Sequence, residues 1–345
     1  MSDFAQTGLI CTLQRLNDAH LPQLEAELVE LASDRPIALV LPCHRRDLAQ
    51  PALGHLVQEI AGAAFLAEII ISINGVERGA EDAARERFAT LPQPLTFLWN
   101  DREQPAGTRT GKGENVAAAV RYLSKGGCEI VVFQDCDVVS FRRANLARLC
   151  YAVANPELGY RFAKAYYSRA TDRLYGRVSR LFLAPLLHAL VRVAGHQPLI
   201  GFLLSFRYPL AGEVAMTAEL ARSLPMMNGW GLELGQLCEV FRRVDPRECC
   251  QVDGGSGYDH KHQPATPALT EMAAEIAREL FRQAALEGIG DTPAFHLAVR
   301  DAYRREGEFA LHRSASLALI NGLPFDRVAE SALVEMFAQQ LAALD

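Results

Sequence analysis

The apolar positions of this chain alternate between two patterns. Short continuous runs, Ile37-Ala38-Leu39-Val40-Leu41, Glu68-Ile69-Ile70-Ile71-Ser72-Ile73, Leu95-Thr96-Phe97-Leu98-Trp99 and Glu129-Ile130-Val131-Val132-Phe133, have the length and β-branched content of buried strands. Between them, residues 48–67, 78–89 and 114–124 carry apolar residues at helical spacing. Leu13, Leu16, Leu24, Leu28 and Leu31 predict one helix over 9–33, ended by Pro36. Strands alternating with helices predict an α/β domain with a mostly parallel sheet. Ligands of such sheets bind beyond the carboxyl ends of the strands, which singles out the segments after Leu41, Ile73 and Phe133.

The second half is less regular. Strand-like pieces occur near 159–166 and 248–253, and 268–287 and 293–345 are Ala/Leu-rich and read as helical. The most apolar stretch, Leu181 to Phe206, is broken by Pro185, His188, Arg192, His196 and Pro198. It reads as a buried helix pair with a break rather than a membrane span. The expected organisation is an α/β domain over 1–265, with 1–35 as a helical lead-in, and a C-terminal helical extension over 266–345.

Composition narrows the function. The chain has 345 residues, 50% of them hydrophobic and 22% charged, which is ordinary globular composition. A formal charge of −6 argues against a general grip on nucleic acid. The eight cysteines form no CxxC pair, and no basic, apolar leader precedes them. Reduced thiols in a cytoplasmic protein are therefore expected.

Candidate chemistry gathers at the end of the fourth run, which leads into Gln134-Asp135-Cys136-Asp137. Two carboxylates two residues apart share a side if the backbone stays extended. Such a pair repels unless a cation relieves it, and hard oxygen ligands suit Mg or Mn. A bound ion of that kind would neutralise charge on a leaving nucleoside diphosphate. A pair of solvated aspartates in a turn has the same sequence. The loop Gly107-Thr108-Arg109-Thr110-Gly111-Lys112-Gly113 could cradle phosphates or simply be surface loop. It is not a P-loop, because its glycines are one residue too close and Gly113 stands where Ser or Thr is required. Tyr258-Asp259-His260-Lys261-His262-Gln263 places alternating imidazoles that could complete a metal site begun by Asp137, or form an exposed turn. Lys164, Arg169, Arg173, Arg177, Arg180 and Arg207 form a basic middle segment suited to an anion or to a solvated helix face.

Across roughly residues 37–265 these pieces occur in one family's order. They are Pro42, Gly111-Lys112-Gly113-Glu114, Asp135-Cys136-Asp137, Lys164 before two aromatics, Gly176-Arg177-Val178-Ser179, Pro209-Leu210-Ala211-Gly212-Glu213, Gly229-Trp230-Gly231-Leu232-Glu233-Leu234-Gly235 and the His260 segment. On them the chain resembles the glucosyl-3-phosphoglycerate synthases, retaining GT-A glycosyltransferases related to mannosylglycerate synthases. The resemblance implies a Rossmann-like GT-A fold and transfer of a hexose, glucose first, from a nucleotide sugar such as UDP-glucose to 3-phosphoglycerate or glycerate.

It also implies roles. Glu233 and Asp135 would be catalytic at the sugar. Pro42, His44, Ser72, Asn74, Lys112 and Cys136 would surround the donor with Asp135. Lys164, Arg177, Val178, Ser179 and His262 would hold the acceptor, and Asp137 and His260 a divalent Mg or Mn. The partners implied are the nucleotide sugar and the small anion, without nucleic acid or membrane, in a homodimer for which the helical tail is a candidate surface. Several positions depart from the family. Pro42-Cys43-His44-Arg45-Arg46 carries arginine where the family has a carboxylate, Ser72-Ile73-Asn74-Gly75 replaces Asp-Ser-Gly-Ser, Arg180 stands in place of Glu, and His262 in place of Asn. A GDP-mannose-using synthase and a sugar-phosphate nucleotidyltransferase are the alternatives. In the latter class the Gly-rich loop follows the first strand, whereas Gly107-Thr108-Arg109 follows the third.

Overall fold

The computed structural model describes residues 8–100, 111–123, 126–225, 229–257 and 267–342. In chain order the elements are β1 (Cys11–Leu13), α1 (Leu21–Asp34), β2 (Ile37–His44), α2 (Pro51–Ala61), β3 (Leu66–Asn74), α3 (Glu81–Glu86), β4 (Leu95–Trp99), α4 (Lys112–Leu123), β5 (Ile130–Phe133) and α5 (Arg143–Ala154). They continue with β6 (Phe162–Tyr166), α6 (Ala184–Ala194), α7 (Pro198–Ser205), β7 (Val214–Thr217), α8 (Ala218–Ser223), α9 (Leu232–Arg243), β8 (Cys249–Asp253), α10 (Pro267–Leu286), α11 (Pro293–Ile320) and α12 (Arg327–Ala342). Among the described residues no helix is long and apolar enough to cross a membrane.

The strands form one sheet in the order β1-β8-β6-β7-β5-β2-β3-β4. All neighbours are parallel except β7, which runs antiparallel to both β5 and β6. Helices cover both faces, so the central strands read as continuous apolar runs rather than alternating ones. Period two divides their side chains: Ala38, Val40, Val131 and Phe133 enter one apolar cluster, and Ile37, Leu39, Leu41, Ile130 and Val132 enter the other. The first cluster also contains Leu280, Tyr303 and Phe337, so the C-terminal helices share an apolar core with the sheet. Tyr303 is fully buried and its hydroxyl donates to the Leu181 carbonyl at 2.8 Å, pinning α11 to the π-type turn Val178–Leu183.

The structure corrects several sequence expectations. Residues 9–33 are not one helix. Cys11, Thr12 and Leu13 pair in parallel with Cys250, Gln251 and Val252, and α1 begins only at Leu21. Strand β7 was not anticipated, because Val214–Thr217 is four residues long and runs directly into α8. The expected helix over 48–67 is a 3-10 turn, Arg45–Ala49, followed by α2, with β3 already begun at Leu66. The 78–89 helix contracts to α3, and 293–345 divides into α11 and α12. The helix pair with a break is present as α6 and α7.

Candidate active site

The carboxyl ends of β2, β3 and β5 open onto one cleft of about 450 Å³. Beyond β5 the ladder continues for one residue, Gln134 N donating to the Val40 carbonyl at 3.1 Å. Asp135 and Asp137 then both line the cleft, half-buried, on either side of the buried Cys136. Both carboxylates thus reach the cleft, although the backbone turns at Cys136 and Asp137 rather than staying extended. What relieves the carboxylate of Asp135 is a lysine: Lys112, the first residue of α4, places Nζ 2.6 Å from Asp135 Oδ1 and 2.9 Å from Glu233 Oε1 at the start of α9. Burial alone would lower the Lys112 pKa, but Asp135 and then Glu233 hold it well above its ordinary value. Burial would raise the Glu233 pKa, yet Lys112 and Lys164 bring it below the usual carboxylate range. The site is thus a charged array of fixed protonation, with Glu233 ionised and Lys112 protonated. The backbone of Gly212 runs directly against it, so that a Cβ at this position would stand 2.6 Å from Asp135 Oδ2.

Asp137 supplies the hard oxygen donor that faces the cleft without belonging to the Lys112 array. Among the described residues no group of three or more His, Cys, Asp and Glu side chains is arranged to hold a metal. His260 and His262 lie outside the described residues. Asp137 and the oxygens of a diphosphate are the ligand type that Mg or Mn takes.

On one side of the cleft, Pro42, Cys43, His44 and Asn74 form the wall at the ends of β2 and β3. Asn74 is 2% exposed, its Nδ2 donates to the Gly111 carbonyl at 3.4 Å, and its buried Oδ1 has no partner among the described residues. His44 caps the turn after β2, its Nδ1 accepting from Arg46 N at 3.0 Å while its own N–H donates to Asp47 Oδ2 at 2.8 Å. Asp47 also lines the cleft, one position after the arginine that stands where a carboxylate was expected. Ser72 is placed differently from its expected role. It is fully buried, donates to the Asn115 carbonyl at 2.6 Å and accepts from Asn100 at 3.0 Å, while Asn115 Nδ2 donates to the Cys43 carbonyl at 2.9 Å. This network sets that wall from beneath and Ser72 does not line the cleft.

On the opposite side Gly176, at φ +67°, begins the stretch Arg177-Val178-Ser179, and all four residues line the cleft. Only glycine enters that left-handed conformation without cost. Burial, the largest influence, lowers the Arg177 pKa. Lys164 does not reach the cleft. It is fully buried and donates to the Ala211 carbonyl at 2.5 Å, and burial lowers its pKa to about 8. Its contact fixes the segment that carries Gly212. Arg180 turns away and pairs with both oxygens of Glu330 on α12. Three cleft features had no clear signal in sequence: Arg169, Tyr208, and the apolar wall of Leu269, Met272 and Ile276 from α10. Arg169 was visible only as one of a run of basic residues, and the wall only as one face of an amphipathic helix.

No family model matches the chain. It is 35% identical, over an alignment of 358 residues covering 99% of it and 89% of the relative, to the glucosyl-3-phosphoglycerate synthase of Persephonella marina. The synthase of Methanococcoides burtonii is 29% identical over 92% of this chain and 83% of the relative. Among solved structures, the glucosyl-3-phosphoglycerate synthase of Mycobacterium tuberculosis in complex with Mn2+, uridine-diphosphate-glucose and phosphoglyceric acid superposes with a TM-score of 0.63 at 25% identity. It covers 83% of this chain and 90% of that one. The same enzyme with Mg2+ and uridine-diphosphate gives a TM-score of 0.61 at 26% identity, over 82% and 89% of the two chains.

Proposed function

This chain belongs to the glucosyl-3-phosphoglycerate synthase family, and from that premise we propose how its own residues carry out the reaction. It is a GT-A glycosyltransferase that moves glucose from UDP-glucose to a phosphoglycerate or glycerate acceptor with Mg or Mn. The observation that carries the assignment of roles is the Lys112–Asp135–Glu233 array beside Asp137, at the mouth of the parallel strands.

In this reading Pro42, His44, Asn74 and Cys136 form the donor wall. Asp137 and His260 would hold the metal, which when bound would take up negative charge on the departing diphosphate. Asp135 and the ionised Glu233, both held by Lys112, accept hydrogen bonds from sugar hydroxyls and lie ready to stabilise positive charge developing at the anomeric carbon. Glu233 is suited to that electrostatic role rather than to donating a proton. Arg177, Val178 and Ser179, with His262, hold the acceptor, and the configuration at the anomeric carbon is retained. Exposed Leu319, Ile320 and Val328 at the α11–α12 corner support a homodimer through the helical extension over 266–345, and eight free thiols support a cytoplasmic location.

The deciding assay incubates the protein with UDP-glucose and 3-phosphoglycerate, with Mn or with chelator, and detects the glucosylated product by mass spectrometry. Product only with metal is expected. Turnover with GDP-mannose but not UDP-glucose would overturn the donor assignment.

A further inference from the structure

Arg169 occupies a position that the roles above leave unused. Its side chain lines the cleft, Nη1 donates to the Tyr208 hydroxyl at 3.3 Å, and its buried Nε has no partner among the described residues. The chain from 169 to 175 is a closed loop: Tyr175 N donates to the Arg169 carbonyl at 2.8 Å, and Ala170 and Leu174 form an antiparallel bridge. Closure brings both ends of the loop together, so that Arg169 Cδ lies 3.9 Å from where a Cβ on Gly176 would be. Arg169 and Arg177 therefore flank the bare backbone of Gly176 on the same wall. The surroundings of the two differ. Arg169 feels the carboxylate of Asp137, whereas Arg177 feels Glu330 and Arg180. Of the two arginines, Arg169 is therefore the one within electrostatic reach of Asp137.

We propose that Arg169 and Arg177 are a two-point clamp that reads both anionic ends of the acceptor, Arg169 taking the carboxylate and Arg177 the phosphate. This rests on the reading of a phosphoglycerate acceptor given above. In 3-phosphoglycerate the only free hydroxyl sits on the carbon next to the carboxylate, and the phosphate is one carbon further away. The hydroxyl has to lie within about 3–3.5 Å of the anomeric carbon in a reactive complex. That carbon is joined to the diphosphate, which belongs with Asp137. The carboxylate next to the hydroxyl then falls at the Asp137 end of the wall, where Arg169 stands, and the phosphate reaches the far end. The guanidinium of Arg169 lines the cleft and suits a planar carboxylate, and the bare backbone of Gly176 lets the three-carbon chain lie flat between the two cations.

The test compares two acceptors that differ at one end. Steady-state kinetics are measured with 3-phosphoglycerate and with glycerol 3-phosphate, which lacks the carboxylate, for the wild type, Arg169→Gln and Arg169→Lys. The ratio of kcat/KM for 3-phosphoglycerate over glycerol 3-phosphate should fall about ten- to hundredfold in Arg169→Gln, mainly through KM, since one charge-assisted contact is lost on one acceptor only. Arg169→Lys keeps the charge but not the fork and should recover part of the ratio. An unchanged ratio in both variants would overturn the clamp and leave Arg169 as a support for Tyr208. An unchanged ratio with weakened UDP affinity by calorimetry would overturn it in favour of the leaving diphosphate. A wild type that glucosylates neither acceptor would fail before any variant is made, and would sink the acceptor class itself.

Discussion

Replacing Gly212 by alanine tests the active-site array with a single methyl group. Gly212 is not in the left-handed region, so its backbone tolerates alanine and the perturbation is steric. The added carbon would meet the Lys112 ammonium and lie 2.6 Å and 2.9 Å from the two carboxylate oxygens of Asp135, where ordinary contact begins at 3.4 Å. Lys112 Nζ, the nearest atom, and the Asp135 carboxylate would both have to withdraw, by roughly 0.5–1 Å or more. Moving Nζ also disturbs its contact with Glu233 at 2.9 Å. The charge-assisted contact between Lys112 and Asp135 is then lost or lengthened, at about 1.5–3 kcal/mol. If that geometry is what the reaction uses, kcat/KM for UDP-glucose falls about ten- to hundredfold. The fold should lose no more than that same roughly 1.5–3 kcal/mol, since the displaced atoms are side-chain ends in an open cleft. Initial rates at subsaturating donor, paired with calorimetric Tm, give both quantities. Wild-type kcat/KM in a variant of unchanged Tm would refute the reasoning. So would a large fall in Tm with the activity of the folded fraction intact.

Asp137→Ala should make UDP affinity the same with Mn as with chelator, where the wild type differs, while Tm moves little because the carboxylate sits half-buried at a turn; titration calorimetry reads the first and a thermal scan the second. Lys164 gives a pH signature. Burial depresses its pKa from 10.5 to about 8, so the unfolded chain binds the proton more tightly. Between about pH 8 and 10.5 stability should therefore rise with pH, and fall again as pH drops back through 8, by on the order of 3 kcal/mol. Urea unfolding of the wild type against Lys164→Met isolates this slope, which would be absent if Lys164 were solvated in the native state. Glu330→Gln removes the partner of Arg180 and should cost about 2–4 kcal/mol in urea unfolding. The swapped pair Arg180→Glu with Glu330→Arg should recover part of that loss, and no recovery would show that the charges are not acting on each other.

The central strands were legible because both faces of the sheet are covered, which turns β2, β3 and β5 into unbroken apolar runs ended by polar residues. The cleft followed from their carboxyl ends, and Asp135, Asp137, Lys112, Asn74 and Arg177 all line it. What was not legible depends on contacts far away in sequence. Cys11–Leu13 has only three residues to show a strand, and Leu13 and Leu16 happen to fit the spacing of the helix that follows. Ser72 and Lys164 have the right chemistry for ligand contact, but burial places both behind the wall they support. Depth along a strand does not appear in residue type. Arg180 pairs with a carboxylate 150 positions later, which no local pattern announces.

The pairing of β1 with β8 has a consequence for how the protein is made. Thr12 meets Gln251 across a separation of 239 residues, and that contact puts the first strand in the sheet. A ribosome adding about 5–20 residues per second takes roughly 10–50 s to cover that distance. Throughout that time the amino-terminal segment has no strand to join, while β2 to β5 can already pair among themselves. The exposed edge is then closed late, by the segment that emerges last from the sheet region, and the face shared with α10 to α12 is covered later still. Synthesis of this chain therefore exposes an unpaired edge and an uncovered apolar face for most of its duration, and its yield in a cell should respond to chaperones that bind such surfaces more than to the stability of the finished fold.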